Sequence, residues 1–173
     1  MAARTPIDAD VTEASADHVL ATYKNLSIVI WRLNTQPNAC RALHRQTNRL
    51  ADKFPDGVGL LTVVERSAPM PSTESRKLIA SFFAGSTRIK ASAVAMEGSG
   101  FRASAVRSVV AGLTMMAKQP FPHKVFATLA VGLHWLVPEL NANARCDLAE
   151  SDVQRMMKQL RQHVDANSPA RAH

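Results

Sequence analysis

The best local candidate for chemistry is Gly98-Ser99-Gly100, with Arg102 close behind, where an apolar run gives way to a helical pattern. Glycines allow a sharp strand-to-helix turn, and the N–H groups that open the next helix can cradle an anion. No lysine-serine pair follows, and the full dinucleotide spacing is absent. The motif therefore reads either as a tight turn or as an anion contact built from Gly98, Ser99, Gly100 and Arg102. Glu97 ends the preceding strand, at the edge where ligands bind in open α/β sheets. A lone carboxylate there is not an acid–base pair. Cys40 and His44, spaced i and i+4, bring a thiol beside an imidazole on a helix, but no third group orients them. His123, His134 and His163 stand apart, with no metal-ligand spacing. The sequence assigns no catalytic residue, no metal site and no cofactor.

The elements that hold these residues follow from periodicity. His18 to Tyr23 and Leu26 to Leu33 read as strands, joined by Lys24-Asn25, where Asn tolerates a positive φ. The period then changes to about 3.6. Pro37 suits a first helical turn. Ala39, Leu43, Leu50, Ala51 and Phe54 form one stripe, and Arg41, Arg45, Arg49 and Lys53 another. Pro55-Asp56-Gly57 ends that helix. Val58 to Val64 and Ile89 to Met96 are unbroken apolar runs of strand length, the pattern of strands covered on both faces. Between them Ser72 reads as the N-cap of a helix ending near Ala84. His123 to Ala127 reads as a last strand. Thr128 caps a helix that stops near Pro138.

Two further helices are candidates for an interface. The segment from Phe101 to Lys118 is apolar nearly all round, which demands either burial or a partner, and Val106, Val110, Met115 and Met116 would form such a face. After a polar stretch, Ser151 and Gln154 make a capping box. The helix that follows presents Val153, Met156, Met157 and Leu160 on one side, as a second candidate interface separate from the core. It folds back, meets a second copy, or enters a partner's groove.

Composition narrows the function classes. The net charge is +7, from 21 Lys+Arg against 14 Asp+Glu, but the cations form no run, and aromatics are only 5%. Nucleic acid is therefore not the expected partner. Cys40 and Cys146 belong to no CxxC pair and read as reduced thiols. The N-terminal stretch is acidic and lacks the apolar core of a signal peptide. No apolar run approaches the roughly 20 residues that span a bilayer. These features point to a cytoplasmic protein.

The order hairpin, helix, strand, helix, strand, helix, strand, helix over about residues 18–137 resembles the STAS domain, the fold of anti-sigma-factor antagonists. The likeness is closest to stand-alone bacterial STAS-like proteins. It is carried by the first hairpin, by Val58 to Val64, and by the ending Lys124-Val125-Phe126-Ala127-Thr128 through Trp135-Leu136. In the antagonist branch a serine opening the helix after the third strand is phosphorylated by a partner kinase. The resemblance puts Ser72 at that place, although Pro71 stands where the family has an aspartate, and the loop before it is longer.

The expected architecture is α/β: a mainly parallel sheet of about five strands, its first hairpin antiparallel, with crossover helices and a C-terminal amphipathic helix. The expected organisation is a disordered leader over 1–16, a domain over 17–137, a linker over 138–149, a helix over 150–165 and a tail over 166–173. The expected function is a non-enzymatic regulatory or scaffold module that binds another protein or itself as a homodimer. The alternative is a sensor of an anion, nucleotide or lipid headgroup near Gly98–Arg102.

Overall fold

The computed structural model describes residues 8–98 and 119–167. Six strands lie side by side in chain order: β1 (Asp10–Ala14), β2 (His18–Tyr23), β3 (Leu26–Trp31), β4 (Val58–Val64), β5 (Ile89–Met96) and β6 (His123–Phe126). β2 pairs antiparallel with both β1 and β3, and β3 to β6 run parallel. The α/β class and the antiparallel first hairpin thus stand as expected. The sheet has one strand more than expected. Residues 10–14 are not a disordered leader but an edge strand. Val11 and Thr12 supply β-branched residues, and the otherwise open edge of β2 supplies the ladder.

Helix α1 (Pro37–Lys53) connects β3 to β4, and α2 (Thr73–Gly85) connects β4 to β5. Both lie on one face of the sheet, where their apolar stripes close over Leu20, Val29, Trp31, Val58 and Leu60. Pro at the first turn of α1 and the Ser72 hydroxyl, which accepts from the Ser75 N–H at 3.1 Å, start these helices as the sequence implies. The alternate residues of the same strands, among them Ile28, Ile30, Leu61, Val63, Ala93 and Ala95, face the other way. That second face is covered by α3 (Leu129–Asn143) and α4 (Glu150–Asn167).

Two expectations about this second layer are corrected. Helix α3 does not stop near Pro138; it continues to Asn143 with Pro138 inside it. Pro138 is exposed and forfeits one hydrogen bond, whereas continuation fully buries Leu140. The helix over 150–165 is not separate from the core either. Val153, Met156, Met157 and Leu160 are 0–1% exposed and form one cluster with Leu133, Leu136 and the sheet. Their amphipathic stripe is satisfied within the chain, so these four residues are not a free interface. Sequence periodicity shows that such a stripe must be buried but not by what.

The hairpin turn differs in detail. The positive φ of 50° falls on Lys24 rather than Asn25. Asn25 is buried instead, and its amide donates to the Gly57 carbonyl at 3.3 Å and the Ala144 carbonyl at 3.1 Å. It ties the hairpin to the start of β4 and the end of α3. The helix expected over 101–118, with Val106, Val110, Met115 and Met116, lies outside the described residues.

Two tests follow from this packing. At Gly59 an added methyl carbon would sit 2.2 Å from Leu140 Cδ1, so α3 rests directly on the β4 backbone. Gly59→Ala is expected to lower stability by about 1–3 kcal/mol in urea titration. Combined with Leu140→Ala, the loss should be smaller than the sum of the single losses. Equal additivity would contradict the contact. His123 packs its ring at a tilt against Phe83, centroids 5.1 Å apart, and neither of its ring nitrogens has a partner among the described residues. Burial lowers its pKa to about 4 from the usual 6.5. The unfolded imidazole therefore binds a proton that the folded one refuses. Stability is complete above pH 6.5 and falls as pH drops towards 4, by up to about 3 kcal/mol. His123→Phe should flatten that acid arm in denaturation midpoints compared at pH 7 and pH 5.

Candidate functional site

The C-terminal ends of the parallel strands are the first place to look for a site. Extending the ladders by one residue puts Arg32, Glu65 and Glu97 in a row across β3, β4 and β5, on the face covered by α4. Helix α4 answers them. Arg161 grips Glu97 with two bonds of 3.0 and 2.7 Å and approaches Glu65 at 3.8 Å. Arg32 bonds Glu65 at 3.2 Å and Asp165 at 2.5 Å. Burial alone would lower the Arg32 pKa, but the bonds to Asp165 and Glu65 outweigh it and raise it. Glu97, a candidate ligand contact by its position, is thereby committed to an ion pair that clasps the last helix to the sheet. Gly98 follows with a φ of +131°, a conformation that favours glycine. Ser99, Gly100 and Arg102, the remainder of the candidate anion contact, lie outside the described residues.

The structure separates the other sequence candidates. Cys40 is buried beside Ser75, and burial raises its pKa. His44 is exposed and lays its ring against Phe82 at 4.6 Å. Among the described residues no hydrogen bond joins the two, so they form no activated thiol. Cys146 sits on the opposite side of the sheet, and burial pushes its thiol up to about 11. Both cysteines are free. The Ser72 hydroxyl is engaged as the cap of α2. Among the described residues, no three His, Cys, Asp or Glu side chains converge as a metal site. No helix there is long and apolar enough to cross a membrane.

A different site emerges at the lateral edge of the sheet. Helix α1 packs chiefly on β2, β3 and β4 and reaches β1 through the Thr12–Gln46 hydrogen bond. Its position is fixed by a buried polar pin. The Gln46 amide donates to the Ala21 carbonyl at 2.9 Å and the Ser27 hydroxyl at 3.1 Å, and the Thr47 and Ser27 hydroxyls meet at 2.8 Å. Thr12 on β1 completes the pin by donating to the Gln46 carbonyl oxygen. Because side chains recur every four residues on one helix face, Arg45, Arg49 and Lys53 project together beyond the pin, over β1 and β2. They form one wall of a cleft of about 280 Å³, opposite Asp10, Glu13 and Thr22.

The electrostatics of this cleft set it apart. Neighbouring cations are paired: Arg41 with Glu74 at 3.2 Å and Arg88 with Asp52 at 2.8 Å. Glu13 is bonded to His18 at 2.7 Å. Among the described residues Arg45, Arg49 and Lys53 have no carboxylate partner, and Asp10 has no cation. Sequence reading found the basic stripe but not the cleft, because residues 1–16 read as a leader. The signal it passed over was Val11-Thr12 beside the unpaired edge of a hairpin. No family model matches the chain, and no curated protein or solved structure gives a significant match.

The clasp at the strand ends makes its own prediction. Arg161→Ala leaves Glu65 and Glu97 on adjacent strands with one cation fewer. Stability should fall by about 1–2 kcal/mol at low salt, and by less in 0.5 M salt, where the screening length is shorter than the roughly 10 Å of 0.1 M and the carboxylate repulsion is screened. Urea midpoints that do not depend on salt would contradict the ion-pair account.

Proposed function

We propose that this chain is a non-enzymatic regulatory module that binds an acidic segment of another protein through the cationic wall of α1. One observation carries the reading: Arg45, Arg49 and Lys53 stand at successive i, i+4 positions with no carboxylate partner among the described residues. Like charges at that spacing cost roughly 0.2–0.5 kcal/mol per pair in an isolated helix. An acidic partner would reverse the sign of that term and accelerate encounter.

One feature favours a protein over a nucleic acid: the cleft lining has no aromatic ring on which bases could stack. The apolar alternative has little support, since Val131 is the only large apolar side chain that is exposed among the described residues. The STAS kinship belongs to the same reading. The run of hairpin, helix, strand, helix and strand over residues 18–96 supports it, and so does the strand followed by a helix from His123 onward. On that kinship the serine-phosphorylation role of Ser72 remains a proposal, in which a phosphate would displace the hydroxyl from its cap.

The test is binding of a fluorescein-labelled oligoglutamate peptide, read by anisotropy, to wild type and to Arg45→Glu/Arg49→Glu. Binding should weaken at least tenfold in the variant, about 1.4 kcal/mol, and should weaken with salt in the wild type. Equal binding by the two proteins would sink the proposal. Size-exclusion chromatography of the wild type alone distinguishes a second copy as the acidic partner: a dimer that the variant loses would identify it.

A further inference from the structure

The cleft has two unlike walls, and a uniformly acidic partner accounts for only one of them. Arg45, Arg49 and Lys53 present cations on the helix side. Arginine forks match the oxygens of a phosphate or a carboxylate in pairs, so this wall takes a phosphate as readily as an acidic side chain. On the strand side stand Asp10, whose carboxylate can only accept, together with the Thr12 and Thr22 hydroxyls. Asp10 and Thr22 face each other across the β1–β2 ladder, and neither side chain has a hydrogen bond or ion pair among the described residues. Such a wall repels a second anion and accepts from hydroxyl groups. The space of about 280 Å³ falls just below the roughly 300–1,000 Å³ of pockets for drug-sized ligands. Its floor is rigid, because the Gln46 pin and the buried Leu20 and Leu50 lie beneath it.

We infer that the cleft binds a small sugar phosphate, with the phosphate against Arg45, Arg49 and Lys53 and the hydroxyls against Asp10 and the two threonines. A ligand with one anionic end and one hydroxyl-rich end matches both walls. Inorganic phosphate matches one, and a dinucleotide exceeds the space. Bound phosphate also neutralises the cations assigned to an acidic protein partner. The ligand and the partner then compete, and the module becomes responsive to a metabolite. That regulatory consequence rests on the partner reading above; ligand binding does not.

The experiment is isothermal titration of the full chain with ribose 5-phosphate, ribose and inorganic phosphate. Ribose 5-phosphate should bind at least tenfold more tightly than phosphate, and ribose should not bind detectably. Arg45→Ala/Arg49→Ala should lose ribose 5-phosphate binding at least tenfold. Asp10→Asn should bring its affinity down towards that of inorganic phosphate. If ribose 5-phosphate binds no more tightly than phosphate, or if Asp10→Asn leaves their ratio unchanged, the inference is overturned. Circular dichroism of each variant shows whether the fold is retained, and Thr22→Val serves as a second strand-side variant if Asp10→Asn is unstable. The labelled oligoglutamate peptide, measured on the same proteins, keeps the two ideas apart. Peptide binding without sugar-phosphate binding refutes the inference and spares the partner reading. The converse refutes the partner reading and spares the inference. With both bound, ribose 5-phosphate should displace the peptide, and failure to do so overturns the regulatory consequence.

Discussion

The structure depends on the need to hide β3, β4 and β5 from water on both faces. Every residue from Leu26 to Trp31 and from Val58 to Val63 is buried, so neither side of these strands can be left to solvent. Helices α1 and α2 close one side as the crossovers between parallel strands. The other side has no crossover helix among the described residues, and the chain after β6 must return over it. That requirement recruits α3, carries it past Pro138, and then draws in α4. The charged row Arg32, Glu65 and Glu97 lies where this second layer ends, and Arg161 and Asp165 of α4 neutralise it. The helix is thus held by apolar packing along its length and by ion pairs near its end.

The same constraint leaves one place uncovered. Helix α1 must sit over the central strands, and the Gln46 pin fixes it there. It meets β1, two strands from β3 at the edge of the sheet, only through the Thr12–Gln46 bond and leaves most of that strand exposed. The exposed side of α1 and the exposed face of β1 therefore enclose a cleft whose chemistry is set by side chains free of packing duties. At the opposite extreme, the row at the strand ends serves stability, since its carboxylates already hold partners. Among the described residues, Arg45, Arg49, Lys53 and Asp10 gather at the flank of the sheet with no ion pair of their own.

Much of this was legible in the sequence, and the limits have physical causes. Unbroken apolar runs marked β4 and β5, the 3.6 period marked α1, and the serine and threonine caps marked the starts of α2 and α3, because each signal is local. The amphipathic stripe of α4 was legible too, but the surface it meets is assembled from α3 and from strands far away in sequence. Strand β1 carries a weak local signal, and its pairing to β2 decides its state. The cleft needed both: a basic stripe that reads as an ordinary solvated face, and an edge strand that reads as a leader. Cys40 and His44 show the reverse case, in which correct spacing on a helix was defeated by one side chain being buried and the other exposed.

The central claim is that recognition takes place between α1 and the β1–β2 edge. The most direct measurement is a two-dimensional amide NMR titration of the full chain with the labelled oligoglutamate peptide. The account predicts shifts confined to about residues 10–13, 20–22 and 42–53, with little change near Glu97 and Arg161. Shifts centred on the strand ends at Glu65, Glu97 and Arg161, or the absence of any shift, would contradict it.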